Sequence, residues 1–337
     1  MSAPTILPPS PFHAGELAVQ ERVGVRDQID ATGRKVVRDY MPDQHRQFFS
    51  ELSFFFVGAL DHAAQPWATM LIGKPGFMAT PDERTLRIAS KLLPGDPLTG
   101  QLKQGDFIGG LGMMPTTRRR NRVNGVITGL ASEGLTIAVK QCFGNCPKYI
   151  QSRDHQIDSL SARAPQVISG NHLSAEDRTL ITRADTFFIA SANTDASAGN
   201  AGGVDISHRG GRSGFVRIDD NGSDSTLTAP DFIGNSMFNT LGNLLHHPRA
   251  GLLFIDFESG DLLHLAVEAK IVWDGPQLKA FAGAERLYRF DVLAVHRNVG
   301  ALPFKWSASE MAAQLERTGT WKEAALASIK PQLCSVE

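Results

Sequence analysis

Residues 202–257 decide the fold: GGVDISHRGGRSGFVRI from Gly202, an Asp/Asn/Gly turn, TLTAPDFIGNSMFNTLGN from Thr226, and LLHHPRAGLLFIDF from Leu244. Val204, Ile206 and His208 alternate with Asp205, Ser207 and Arg209, the two-residue period of a half-buried strand. Gly210, Gly211 and Gly214 then break the strand and let the backbone bend or approach a ligand closely. The alternation resumes on either side of Asp219-Asp220-Asn221-Gly222, a hairpin turn signal. A short polar helix carrying Asn235, Asn239, Thr240 and Asn243 is expected next. It stops before Pro248, because proline disfavours helical backbone in the residue ahead of it. The apolar run 250–257 reads as a buried strand. Strand, hairpin, polar helix and core strand together enclose a donor-rich pocket, the candidate ligand site.

The first half of the chain repeats this order. SFFFVGAL from Ser53 answers to ADTFFIASA from Ala184, residues 66–77 to 203–215, and TLRIAS to STLTA. GDFIGGL from Gly105 answers to PRAGLLF from Pro248, and 120–131 to 262–273. Each repeat reads as helix, hairpin strands, short helix and core strands, so the expected fold is mainly β, a Greek-key-like barrel with flanking helices, present twice. Helices are expected over 42–52, from a capping-box-like start at Ser174, over 96–105 from Asp96-Pro97, and over 307–317 closed by Gly319. The expected division is an arm of little periodicity (1–40), a first barrel (41–139), a connector beginning KQCFGNCPKYIQ (140–172), a second barrel (173–298) and a tail (299–337).

Composition narrows the function. With 42% hydrophobic and 20% charged residues the chain can bury a core, and a formal net charge of −1 argues against nucleic-acid binding by bulk electrostatics. No apolar run approaches a membrane span, and the N-terminus lacks the basic and apolar regions of a signal peptide. Three cysteines cannot all pair, which points to a reducing, cytoplasmic setting. Cys142 and Cys146 lack a nearby second pair of ligands, so no metal site is expected. Dinucleotide-fingerprint, Walker and serine-hydrolase elbow sequences do not occur.

The strand with SHRGG, the Asn-rich helix, NLLHHPRAGLLF and the connector NCPKYIQ at 145–151 resemble the pyridoxamine-5'-phosphate-oxidase-like FMN-binding split barrels. Residues 40–306 resemble tandem members of that superfamily. The resemblance implies FMN at an interface between two barrels, here an internal pseudo-dimer. It implies Asp205, Ser207, His208 and Arg209 along the flavin, and Asn239 and Thr240, with Asn235 and Asn243 close by, at the phosphate. Simple oxidases of the superfamily carry Arg and Lys at the phosphate, so charge is expected here from Arg209 or Arg212. In the first repeat Met70 and Leu71 stand opposite His208 and Arg209, and Asp96-Pro97 opposite Asn239-Thr240. An aspartate repels phosphate and a proline removes a donor, so one flavin per chain is expected. The first barrel would complete that site through Arg120 or Arg122. The implied activity is that of an FMN-dependent oxidoreductase passing hydride through flavin N5. Its expected partners are a small redox substrate, with NAD(P)H or oxygen as candidates, and neither nucleic acid nor membrane; a homodimer is left open. His208 is the one candidate acid or base. The alternative is a flavin- or haem-binding protein that sequesters its ligand without turnover.

Overall fold

A computed structural model of the chain describes residues 9–157, 166–222 and 224–333. Helices α1 (Ala14–Arg22), α2 (Arg26–Val36) and α3 (Asp43–Glu51) lead into β1 (Phe54–Leu60), β2 (Pro66–Ile72), β3 (Met78–Asp82), β4 (Thr85–Ile88), β5 (Phe107–Met114), β6 (Arg119–Ala131) and β7 (Gly134–Asn145). Short strands β8 (His155–Ile157) and β9 (Gln166–Gly170) and helix α4 (Ala175–Arg183) follow. The second set is β10 (Thr186–Asn193), β11 (Gly203–Gly210), β12 (Arg217–Asn221), β13 (Asp224–Phe232), α5 (Asn239–His246), β14 (Arg249–Ile255), β15 (Leu262–Val272), α6 (Pro276–Ala280) and β16 (Ala284–Val299). The chain closes with β17 (Phe304–Trp306) and α7 (Trp321–Leu333).

The fold is mainly β, with antiparallel sheets and flanking helices. One sheet has the order β2-β1-β5-β6-β7-β4-β3 and the other β11-β10-β14-β15-β16-β13-β12, the same order element for element. Strands β1 and β10 are buried almost throughout because each serves two cores. Phe55 and Val57 point into the core of the first half, and Phe187 and Ile189 into that of the second. The residues between them, Phe54, Phe56, Phe188 and Ala190, face a third core shared by both halves. Two buried faces make a strand read as a continuous apolar run, which is why FFFVGAL and TFFIASA look alike.

The halves meet reciprocally. Phe56 pairs with Met70 and Leu111, and Phe188 with His208 and Leu253, so these residues correspond. Phe56 and Phe188 stack on each other with ring centroids 3.6 Å apart. Gly109 of β5 presses on the backbone of Val204-Asp205, and Gly251 of β14 on that of Pro66-Trp67. By the same register these are matched positions. Exchanging the halves exchanges the contacts, the property of an isologous interface.

Several expectations are corrected. No helix forms over 96–105. Asp96 is buried, accepts from Thr69 Oγ1 and caps a turn by accepting from the Leu98 N–H at 2.9 Å. Strand β7 runs into the stretch read as connector, and the described part of the arm holds two helices. The terminal helix lies beyond Gly319 rather than before it, and residues 313–317 form only a 3-10 turn. Cys334 falls outside the described residues. No helix among the described residues is long and apolar enough to cross a membrane.

Buried histidines give the fold an acid limit. His45, against Cys142 Sγ at 3.1 Å, and His264, against Ala68 O at 2.9 Å, are both lowered to about 4, mainly by burial. Unfolded, each takes a proton near pH 6.5. Their contribution is therefore complete above 6.5 and lost as pH falls towards about 4. Asp96, raised to about 6 by burial, pulls the opposite way, so the histidine term is read by difference: we expect the urea midpoint of wild type to lose more than that of His264→Gln across this window. Equal pH profiles in the two proteins would remove this assignment.

Candidate functional site

Strand β11 sets the site. Asp205 and Ser207 lie two residues apart, hence on one face, and both accept from the Arg122 guanidinium of the other half, Ser207 Oγ at 2.5 Å. Asp205 also accepts from Asn124 Nδ2 at 2.6 Å and Asn243 Nδ2 at 3.2 Å. Thr240 Oγ1 donates to Ser207 Oγ at 3.2 Å. Above this floor opens a cleft. Arg120, Arg122, Ser207, His208, Arg209 and Thr240 line it, with Asn235 and Asn239 at its α5 end.

Positive charge in the cleft outruns negative. Arg122 shares Asp205. Arg209 lies 3.9 Å from Asp231, but that carboxylate already holds Arg286 at 2.9 Å and Tyr288 Oη at 3.0 Å. Arg120 forms no ion pair among the described residues. It donates through Nε to Cys146 O at 2.8 Å and through Nη1 to His208 Nδ1 at 3.1 Å. Burial, with Arg209 and Arg122 close by, lowers the Arg120 guanidinium to about 10. A desolvated cation without a counter-ion is costly unless an anion joins it.

His208 is held neutral. Burial first, then Arg120, Arg209 and Arg153, push it well below the ordinary imidazole value. An arginine can only donate, so Nδ1 is the acceptor and the proton sits on Nε2. That N–H is buried without a partner, as are Nε of Arg122 and of Arg209. In this state His208 presents one N–H donor and its Nδ1 holds Arg120.

Helix α5 starts at the cleft. Phe238 adopts left-handed backbone (φ 63), no side chain caps the helix, and residues Phe238, Asn239, Thr240 and Leu241 line the opening. An uncapped first turn presents free N–H groups and the positive end of the helix dipole.

Of the residues singled out from sequence, Asp205 and Asn243 stand just behind the cleft. Asn235 is in the loop before α5, accepting from Met237 N at 3.1 Å, not on the helix. Arg212 is not at the site: it donates to Thr318 O at 3.0 Å and pairs with Glu323 of the C-terminal segment at 2.9 Å. In the other half Trp67, the counterpart of Asp205, packs with Leu98, Ala59 and Ala266, and Thr69, the counterpart of Ser207, is tied to Asp96. Sequence reading missed Asp231, Cys146 and Tyr149. The connector crosses β11 so closely that a side chain on Gly210 would meet the Tyr149 carbonyl, and Tyr149 itself has φ 66. That Gly210 is a glycine was the one available signal.

No family model matches the sequence, and no curated protein matches it. Solved structures with local similarity include HupZ of Group A Streptococcus (15% identity, TM-score 0.28, 36% of this chain and 89% of that one). A protein of Lactobacillus delbrueckii described as a pyridoxamine 5'-phosphate oxidase gives 13% identity and a TM-score of 0.29 over 37% and 94% of the two chains. An FAD-binding protein of Mesorhizobium loti gives 12% and 0.23 over 39% and 97%.

Proposed function

We propose that the chain is an FMN-dependent oxidoreductase built as two tandem split barrels in an internal pseudo-dimer, with one flavin site per chain. The observation behind this reading is the cleft itself: surplus guanidinium charge, buried donors without partners on two of its lining residues, Arg122 and His208, and an uncapped helix start at its edge. That donor set suits a planar heterocycle with acceptor edges joined to a phosphate. Arg122, Thr240 and the first turn of α5 would hold the phosphate. Arg120 and Arg209 would stand beside the ring, where positive charge favours negative charge developing on the ligand. His208 would donate from Nε2 and hold its proton. Bound FMN supplies two-electron chemistry at N5; the electron donor proposed is NAD(P)H, with oxygen or a small substrate as acceptor.

The phosphate contact can be isolated by comparing FMN with riboflavin. Two charge-assisted hydrogen bonds of about 1.5 kcal/mol each imply FMN binding about 100-fold tighter. Equal affinities would remove the phosphate assignment. A second reading, a flavin- or haem-binding protein without turnover, is favoured by the neutral, hydrogen-bonded state of His208. A protein that holds FMN but is not reduced by NAD(P)H, or one that takes up haem at this cleft, would support it.

A further inference from the structure

The described arm residues fold back onto α5 from more than 200 positions away in sequence, and their contacts converge on the helix that lines the cleft. Helix α1 lies against α5 at a glycine pair. A Cβ on Gly15 would meet the Gly242 carbonyl and His246 Cδ2 (2.7 Å), and one on Gly242 would lie 2.5 Å from the Glu16 nitrogen. Two polar side chains then grip the helix, and a third the loop that leads into it. His13 Nε2 hydrogen-bonds Asn243 Oδ1 at 2.9 Å, Glu16 accepts from Asn239 Nδ2, and Gln20 Nε2 donates to Met237 O at 3.3 Å. All three are almost fully buried, and Phe12 is anchored beside them with Phe143 and Met237.

The grip reaches the cleft through shared atoms. His13 Nδ1 accepts from the Gly15 N–H at 3.1 Å, so Nε2 must be the donor and Asn243 Oδ1 the acceptor. That fixes the Asn243 amide so that its Nδ2 donates to Ser191 Oγ and to Asp205, the carboxylate that holds Arg122. Burial favours the uncharged form of both Glu16 and His13, which suits a packed helix interface. A surface arm with no further task has no need of buried polar groups partnered on one helix and the loop leading into it.

We propose that the segment from Phe12 to Gln20 is a latch belonging to the binding site: His13 and Glu16 are positioning residues that hold α5 and the Asn243–Asp205–Arg122 chain in the geometry that receives the ligand's phosphate. This rests on the FMN reading above. By linkage, ligand binding and arm docking must strengthen each other by the same factor.

The test uses the full chain. His13→Ala is expected to weaken FMN binding about tenfold, followed by flavin fluorescence, while His13→Gln, which restores a neutral donor, returns it to within about threefold of wild type. Saturating FMN is expected to slow subtilisin cleavage in the exposed α1–α2 turn at Val23-Gly24 about tenfold. In ligand-free protein, His13→Ala is expected to speed amide exchange across α5. Wild type that binds no FMN refutes the proposed function, and the exchange measurement then decides the latch alone. Binding of FMN by wild type with unchanged affinity in His13→Ala, or α5 exchange unaltered by that substitution, overturns the latch.

Discussion

Replacing Arg122 by alanine is expected to cost about 3–5 kcal/mol of stability and to abolish tight binding of a phosphorylated ligand. The guanidinium and its partner Asp205 are nearly sealed from solvent, with side chains 4% and 11% exposed. Removing one member of such a pair leaves a carboxylate desolvated, with only Asn124 and Asn243 to donate to it. Most of the cost is the stranded charge rather than the lost attraction. Adding Asp205→Asn to Arg122→Ala should therefore recover a good part of the stability without recovering binding, since the cation facing the ligand is still gone. Urea unfolding and FMN titration of the two variants separate these effects. A double variant no more stable than the single one would show that Asp205 is not stranded, and the charge argument for the cleft would fail with it.

The matched glycines at the contact between the halves should give equal losses of stability but unequal losses of function. A Cβ at position 109 would stand 2.5 Å from Val204 O and 2.9 Å from Asp205 Cα; one at 251 would stand 2.6 Å from Trp67 Cα. Both contacts are to backbone, which cannot rotate away, so Gly109→Ala and Gly251→Ala should each destabilise by about 1–3 kcal/mol or more. Only the first pushes on β11, where Asp205 and Ser207 seat Arg122. Gly109→Ala should thus lose ligand affinity by tenfold or more, on the order of 1.4 kcal/mol, while Gly251→Ala leaves it close to wild type. Equal losses of affinity from both would mean that the Trp67 side also holds ligand, contradicting a single site.

Much of this arrangement was legible because it depends on local rules. The capping box at Ser174 formed with Asp177 as its third residue, and the hairpin signalled at 219–222 joins β12 to β13, with Asp219, Asp220 and Asn221 paired in β12 and only Gly222 of the four in the turn. The internal repeat placed Met70 opposite His208 before any register was known, and the strand pairing agrees. The arm was illegible for a physical reason. The buried face of α1 is Gly15, Glu16, Val19 and Gln20, so it has almost no apolar periodicity to detect. Its signal lay in the His13–Glu16 capping box instead. The terminal helix hid in the same way: Thr320 and Glu323 cap each other at its start, a spacing passed over in favour of Gly319 as a stop. Asp96-Pro97 carries a helix-start pattern, but the Asp96 carboxylate is spent on Thr69 and on a turn. Arg212 offers charge beside the strand in sequence, but its side chain pairs with Glu323, a partner more than 100 residues away that no local pattern reveals.

The central claim is a single flavin-phosphate site formed where Arg120 and Arg122 of one half meet β11 and α5 of the other. The most direct measurement is equilibrium titration of ligand-free protein with FMN, read by visible absorption, with the ligand of the purified protein released and weighed by mass spectrometry. The account predicts saturation at one FMN per chain, lost in Arg122→Ala. Two FMN per chain would mean that the other half also holds ligand and would contradict the single site, and a protein that neither carries nor takes up FMN would contradict the account outright.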